Sequence, residues 1–132
     1  MTKKYFIELA NFNIWANNIV ISWLEQINDD QWTQGIESSF NTIRETVLHI
    51  ASAESAWYER MIKKEAIDWF QKSFSGSKQD VNELWKSKSQ NLLDFLENFD
   101  ESRMNEILAY TRLNGEKQAM PYYQIFAHVL NH

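Results

Sequence analysis

The sequence predicts an all-α fold, a four-helix bundle with a short extended hairpin or loop before the last helix. Three observations predict it. Apolar residues recur at helical spacing in four separate segments. Only three Gly and one Pro occur in 132 residues, which suits long helices with few tight turns. Apolar residues make up 44% of the chain, and six Trp, five Tyr and eight Phe are enough to build a core. One domain spanning residues 1–132 is expected.

The first helix is predicted over residues 3–27. Phe6, Ala10, Ile14, Ile21 and Leu24 fall on one face, and Phe12, Trp15, Ile19 and Trp23 form a second apolar stripe. A helix apolar on two faces is usually packed on two sides, one against the core and the other against a dimer partner. Asn17 interrupts the first stripe and needs a hydrogen-bond partner if buried. Residues 28–41 are polar, contain Gly35 and read as a connection.

The second helix starts at Thr42, where Thr42-Ile43-Arg44-Glu45 is a capping-box pattern, and continues to about residue 64. Ile43, Val47, Ile50, Trp57 and Met61 make its core stripe. His49, Ala53, Ala56 and Arg60 lie on an adjacent face, whose small residues leave room beside the His. Residues 67–79 are loop-like but carry Trp69, Phe70 and Phe74, so this loop is expected to fold over an edge of the bundle. The third helix is predicted over about 78–98, burying Val81, Leu84, Trp85, Leu92, Phe95, Leu96 and Phe99.

Residues 106–120 differ in character. Ile107 to Tyr110 is extended in type, and Asn114-Gly115 is a tight-turn signal, so a hairpin or extended connection is expected. Pro121 suits the first position of the fourth helix, where its missing N–H costs nothing. That helix carries Ile125, Phe126, Val129 and Leu130 and has only about three turns before His132. No capping Gly and no basic final turn closes it, so the chain reads as missing the end of its last helix.

A net charge of −5 argues against nucleic acid as a partner, because phosphate binding needs a basic surface. The absence of Cys excludes disulfides, thiolate ligands and a cysteine nucleophile. No signal peptide is visible, and no stretch approaches the roughly 20 apolar residues of a membrane span. The expectation is a soluble cytoplasmic protein with no membrane partner.

The chain has three His residues. His128 and His132 are i and i+4 on the last helix, one turn apart on one face. His49 comes from the second helix. Two imidazoles on one helix and a third from a facing helix make a set with positions left open, the arrangement of a catalytic rather than a structural metal site. Imidazoles suit Zn, Ni, Fe or Cu, and spacing does not choose between them.

Several segments resemble the DinB-like (damage-inducible protein) family of metal-binding four-helix bundles. Tyr5 and Asn13-Ile14-Trp15-Ala16-Asn17 are similar to its opening helix. Ser39 through Ile50, containing His49, with Ala53 through Arg60, is similar to its second-helix signature. Gly115 through Pro121, followed by Ile125 through His132, is similar to the approach to its last helix. The resemblance covers nearly the whole chain. It implies a divalent metal, Zn or Ni first, held by one His of the second helix and an H-x3-H pair of the last.

His49 carries over to the first ligand. Family members usually read H-V-x-N-H-x-x-x-H-R-G-Q, with the last two His as the pair, whereas His128 and His132 match the first two. Two readings follow from this. In one the chain ends before its third ligand, with His132 a ligand and His128 its neighbour. In the other His128 and His132 are themselves the pair.

The remaining residues read more plainly. Glu45 is a capping residue, and Glu54 is either a group beside the metal ligands or a surface ion. Trp15, Trp57 and Trp85 belong to the core, Asn17 makes a buried structural hydrogen bond, and Arg44 and Arg60 form surface ion pairs. The resemblance implies a metal-dependent enzyme acting on a small molecule, a transferase using a low-molecular-weight thiol such as bacillithiol or mycothiol. A hydrolase would use the same ligands. From a different class, a non-catalytic metal-binding or stress-response dimer fits an incomplete ligand set.

Overall fold

The computed structural model describes residues 2–131. Its elements are α1 (Lys3–Leu24), the short α2 (Asp29–Trp32), α3 (Ile43–Met61), α4 (Lys78–Glu97), β1 (Ile107–Thr111), β2 (Lys117–Pro121) and α5 (Tyr122–Leu130). The four main helices pack as a bundle with an antiparallel hairpin before the last, as predicted. The helix α4 lies between α1 and α3, and α5 closes the opposite side against the same two. No helix among the described residues is long and apolar enough to cross a membrane.

The helix starts follow local chemistry. The Thr2 side chain caps α1, and Ser77 and Asp80 cap α4 reciprocally. Thr42 Oγ1 accepts the Glu45 N–H at 3.0 Å, but Glu45 reaches back one residue further than a capping box requires, to the Asn41 N–H at 3.0 Å. The connection after α1 holds the unpredicted α2, whose Asn28–Gln31 capping box turns Trp32 into the core. Pro121 ends β2 and caps α5 from outside, one residue earlier than its predicted place as the first helical residue.

In α1 the first predicted stripe is the buried one: Phe6, Ala10, Ile21 and Leu24 all lie inside. The second stripe is largely bare, with Phe12 and Trp15 each 59% exposed, Trp23 61% exposed and Ile19 half-buried. Trp15 is therefore not a core residue. In α3 the buried face is rotated from the predicted one. Ile50 and Trp57 are only half-buried, while Ala51, Ser52, Ser55 and Ala56 are inside. This helix is packed by both α4 and α5, so small residues sit where two neighbours approach.

The core forms two apolar clusters. One gathers Phe6, Leu96, Phe99, Tyr122, Ile125 and Phe126. The other gathers Ile21, Leu24, Trp32, Leu48, Val81 and Trp85, with Phe70 of the α3–α4 loop folded over it as expected. Between them in sequence on three helices stand Asn13, Asn17, Glu54 and Ser89. Asn13 Nδ2 donates to Glu54 Oε1 at 2.8 Å, Ser89 Oγ donates to Glu54 Oε2 at 2.6 Å, and Asn17 Nδ2 donates to Ser89 Oγ at 2.9 Å. Glu54 is thus a buried residue of a polar layer, not a surface ion. Asn17 makes the structural bond predicted for it.

The hairpin pairs Leu108 with Met120 and Tyr110 with Gln118. Its turn closes through the Gly115 N–H, which donates to the Arg112 carbonyl at 2.9 Å. Gly115 has φ +87, which only glycine adopts without strain. Tyr122 OH donates to the Met61 carbonyl at 3.4 Å, and His128 lies against Trp57. The helix α5 therefore runs antiparallel to α3, from the end of α3 back toward its start.

Candidate metal centre

His49 sits on the second turn of α3, a helix placed by the Thr42 cap. It is half-buried, and its ring lies 4.4 Å from that of Phe40. The Nδ1 atom is 3.2 Å from Gln71 Oε1, an acceptor presented by the α3–α4 loop. Where such a pair has Nδ1 as its donor, Nε2 is the nitrogen that would meet a metal. Metal-binding histidines are commonly oriented in this way, the second nitrogen donating to a carbonyl or carboxylate.

His128 projects from α5 and is exposed, with its ring edge-on to Trp57 at 5.4 Å. Trp57 is two turns along α3 from His49, a rise of about 12 Å. By helical spacing His49, Ala53, Ala56 and Arg60 share one face of α3. Arg60 and His128 line the same cleft. His128 thus stands at the Arg60 end of α3, whereas the ring partners of His49 are Phe40 and Gln71, two turns away. His132, the third predicted ligand, lies outside the described residues. Among the described residues no three His, Cys, Asp or Glu side chains converge on one point.

Neither nearby acid joins the histidines. Glu45 is used as a helix-start acceptor and Glu54 as the centre of the polar layer. Burial raises the Glu54 pKa above its ordinary value of 4.5, and hydrogen bonds from Ser89 and Asn13 oppose that rise.

The cleft beside His128 has a volume of about 350 Å³. Arg60 is its most unexpected member. It is only 9% exposed, so it is not the surface ion-pair former that its residue type suggests. Its guanidinium carbon lies 4.5 Å from the Trp57 ring, 4.9 Å from Tyr110 and 5.3 Å from Trp69. Burial lowers its pKa, Tyr110 opposes the shift, and Arg112 adds to it. Arg44 likewise bonds a backbone carbonyl, that of Phe74, at 3.0 Å.

Sequence reasoning missed this cage because Tyr110 reaches Arg60 only through the hairpin. The one local signal was Trp57 three residues before Arg60, on the face with small neighbours.

The chain matches the family model described as the DinB family over residues 1–132. No curated protein matches it.

Proposed function

The chain belongs to the DinB family, and from that premise we propose that it is a metal-dependent enzyme acting on a small molecule. The observation that carries this reading is the His49 imidazole, whose Nδ1 stands 3.2 Å from Gln71 Oε1. His49 and His132 would hold the ion, with His128 a neighbour, because His128 meets Trp57 about 12 Å along α3 from His49. His128 stands on the antiparallel helix α5. The donor set is all imidazole in a chain without Cys, which suits Zn or Ni.

When bound, such an ion lowers the pKa of a thiol or water toward neutral. The protein's own residues do the rest. Gln71 and Phe40 fix the His49 ring, and the cleft beside His128 offers a walled place for a substrate body. A low-molecular-weight thiol as co-substrate makes this a transferase. Water in its place makes it a hydrolase. A requirement for added thiol separates the two.

Elemental analysis of the purified protein tests the site. Bound metal in the wild type, and its loss in His49→Ala and His132→Ala, is the expected result. A metal-free wild type, or equal metal in His49→Ala, would sink the proposal.

A second reading is a non-catalytic dimeric bundle with an incomplete site, serving either to bind metal or in a stress response, and the stress-response form needs no metal. It is favoured by the bare apolar stripe of α1, which suits a second copy of the chain. A dimer with no affinity for divalent metal would support this reading against the first.

A further inference from the structure

The cleft between α3, the loop after it and the hairpin contains a buried cation with an unmet need. Arg60 Nη2 donates to the Thr111 carbonyl at 3.2 Å. Its Nε is buried and has no hydrogen-bond partner. No carboxylate among the described residues forms an ion pair with it. The three surrounding rings attract the charge but offer no acceptor in the guanidinium plane. A buried N–H without an acceptor is destabilising, and a buried charge without a counter-charge is more so.

A second guanidinium lines the same cleft. Arg112 meets one acid, Glu116, at 3.3 Å, with the two side chains 53% and 59% exposed. An exposed pair of this kind is weak and easily exchanged. Two like charges in one cleft repel each other, and an anion between them would relieve both. Besides Tyr110, Gln118 and His128, the cleft is walled by Trp57, Trp69, Leu113 and Met120, which are apolar. An inorganic anion would make no use of them.

We propose that this cleft binds a small organic anion, a carboxylate with an apolar or aromatic body. Arg60 and Arg112 hold the carboxylate, whose planar geometry matches the guanidinium fork. Trp57 and Trp69 cover the body. The cleft is the one offered above to the substrate body, but the inference needs no bound metal, because no residue it uses is a candidate metal ligand, although His128 shares the rim.

The test is a titration of the full-length protein with benzoate, benzamide and inorganic phosphate, before and after chelator treatment. Calorimetry gives affinity, and assigned indole N–H resonances locate the ligand. Benzoate should saturate at millimolar concentrations, shift the Trp57 and Trp69 signals, and bind at least tenfold more tightly than benzamide.

Because Arg60→Gln risks the fold, Arg112→Gln is the main variant. It should weaken benzoate by about tenfold, or 1.4 kcal/mol, with Tm unchanged. Chelation should leave benzoate binding as it was. Equal binding of benzoate and benzamide overturns the proposal, as does an Arg112→Gln variant with wild-type affinity. Binding of phosphate without benzoate excludes the organic body. Loss of benzoate on chelation would place the anion on the metal instead.

Discussion

A carboxyl group sealed inside a helical bundle is normally either paired with a cation or protonated. Glu54 is 3% exposed and its partners are neutral: Asn13 and Ser89. Burial therefore raises its pKa, against the opposing hydrogen bonds. The sign of the consequence is definite. Above its ordinary pKa of 4.5 the unfolded chain has released this proton while the folded chain still holds it. Glu54's contribution to stability is thus full below 4.5 and lost as pH rises through the raised folded value.

Glu54→Gln keeps the shape and removes the ionisation. Urea unfolding of both proteins between about pH 4 and 8 should show the wild type losing ground to Glu54→Gln as pH rises. Parallel curves would refute the argument. Glu54→Leu instead strands the Asn13 amide and the Ser89 hydroxyl, at a cost of roughly 1–3 kcal/mol for each.

At the scale of elements, each helix is as secure as its ends. Ser77 Oγ accepts the Asp80 N–H at 3.1 Å, and Asp80 Oδ2 accepts the Ser77 N–H at 2.9 Å. Ser77→Ala should cost about 1 kcal/mol, read as a Tm lowered by a few degrees in a thermal melt. An unchanged Tm would show that packing alone sets where α4 begins.

Features of this local kind were the legible ones. Thr42 marks a helix start, and Asn114-Gly115 marks the hairpin turn, because each acts on its immediate neighbours, whereas the Ser77 cap lay hidden in a stretch read as loop. The buried face of α3 was less legible. Which of its apolar stripes turns inward depends on α4 and α5 standing on two sides of it, and no window of α3 alone contains that. For the same reason Arg60 resembled a surface residue. Its rings arrive from the loop at Trp69 and the hairpin at Tyr110.

The whole molecule presents one long apolar face to water, the α1 stripe of Phe12, Trp15 and Trp23. The opposite face of this helix is spent on α4 and α5. A stripe along one straight helix is compatible with a twofold axis, so a second copy is the proposed occupant. Sedimentation should find a dimer for the wild type and a monomer for Trp15→Glu. A monomeric wild type at micromolar concentration would remove the proposal. The candidate metal site was proposed from residue types and spacing, and among the described residues no three such ligands converge. His49 meets Phe40 and Gln71, His128 meets Trp57, and His132 lies outside the described residues.

Leu113 stands at the lip of the Arg60 cleft and is 71% exposed. The chain contains no cysteine. Leu113→Cys would therefore give the protein a single thiol, accessible and remote from both core clusters. A thiol-reactive fluorophore would attach there and nowhere else, at the one place where an arriving anion must pass it. The same loop that closes the hairpin thus offers a labelling position from which occupancy of the cleft becomes an optical signal.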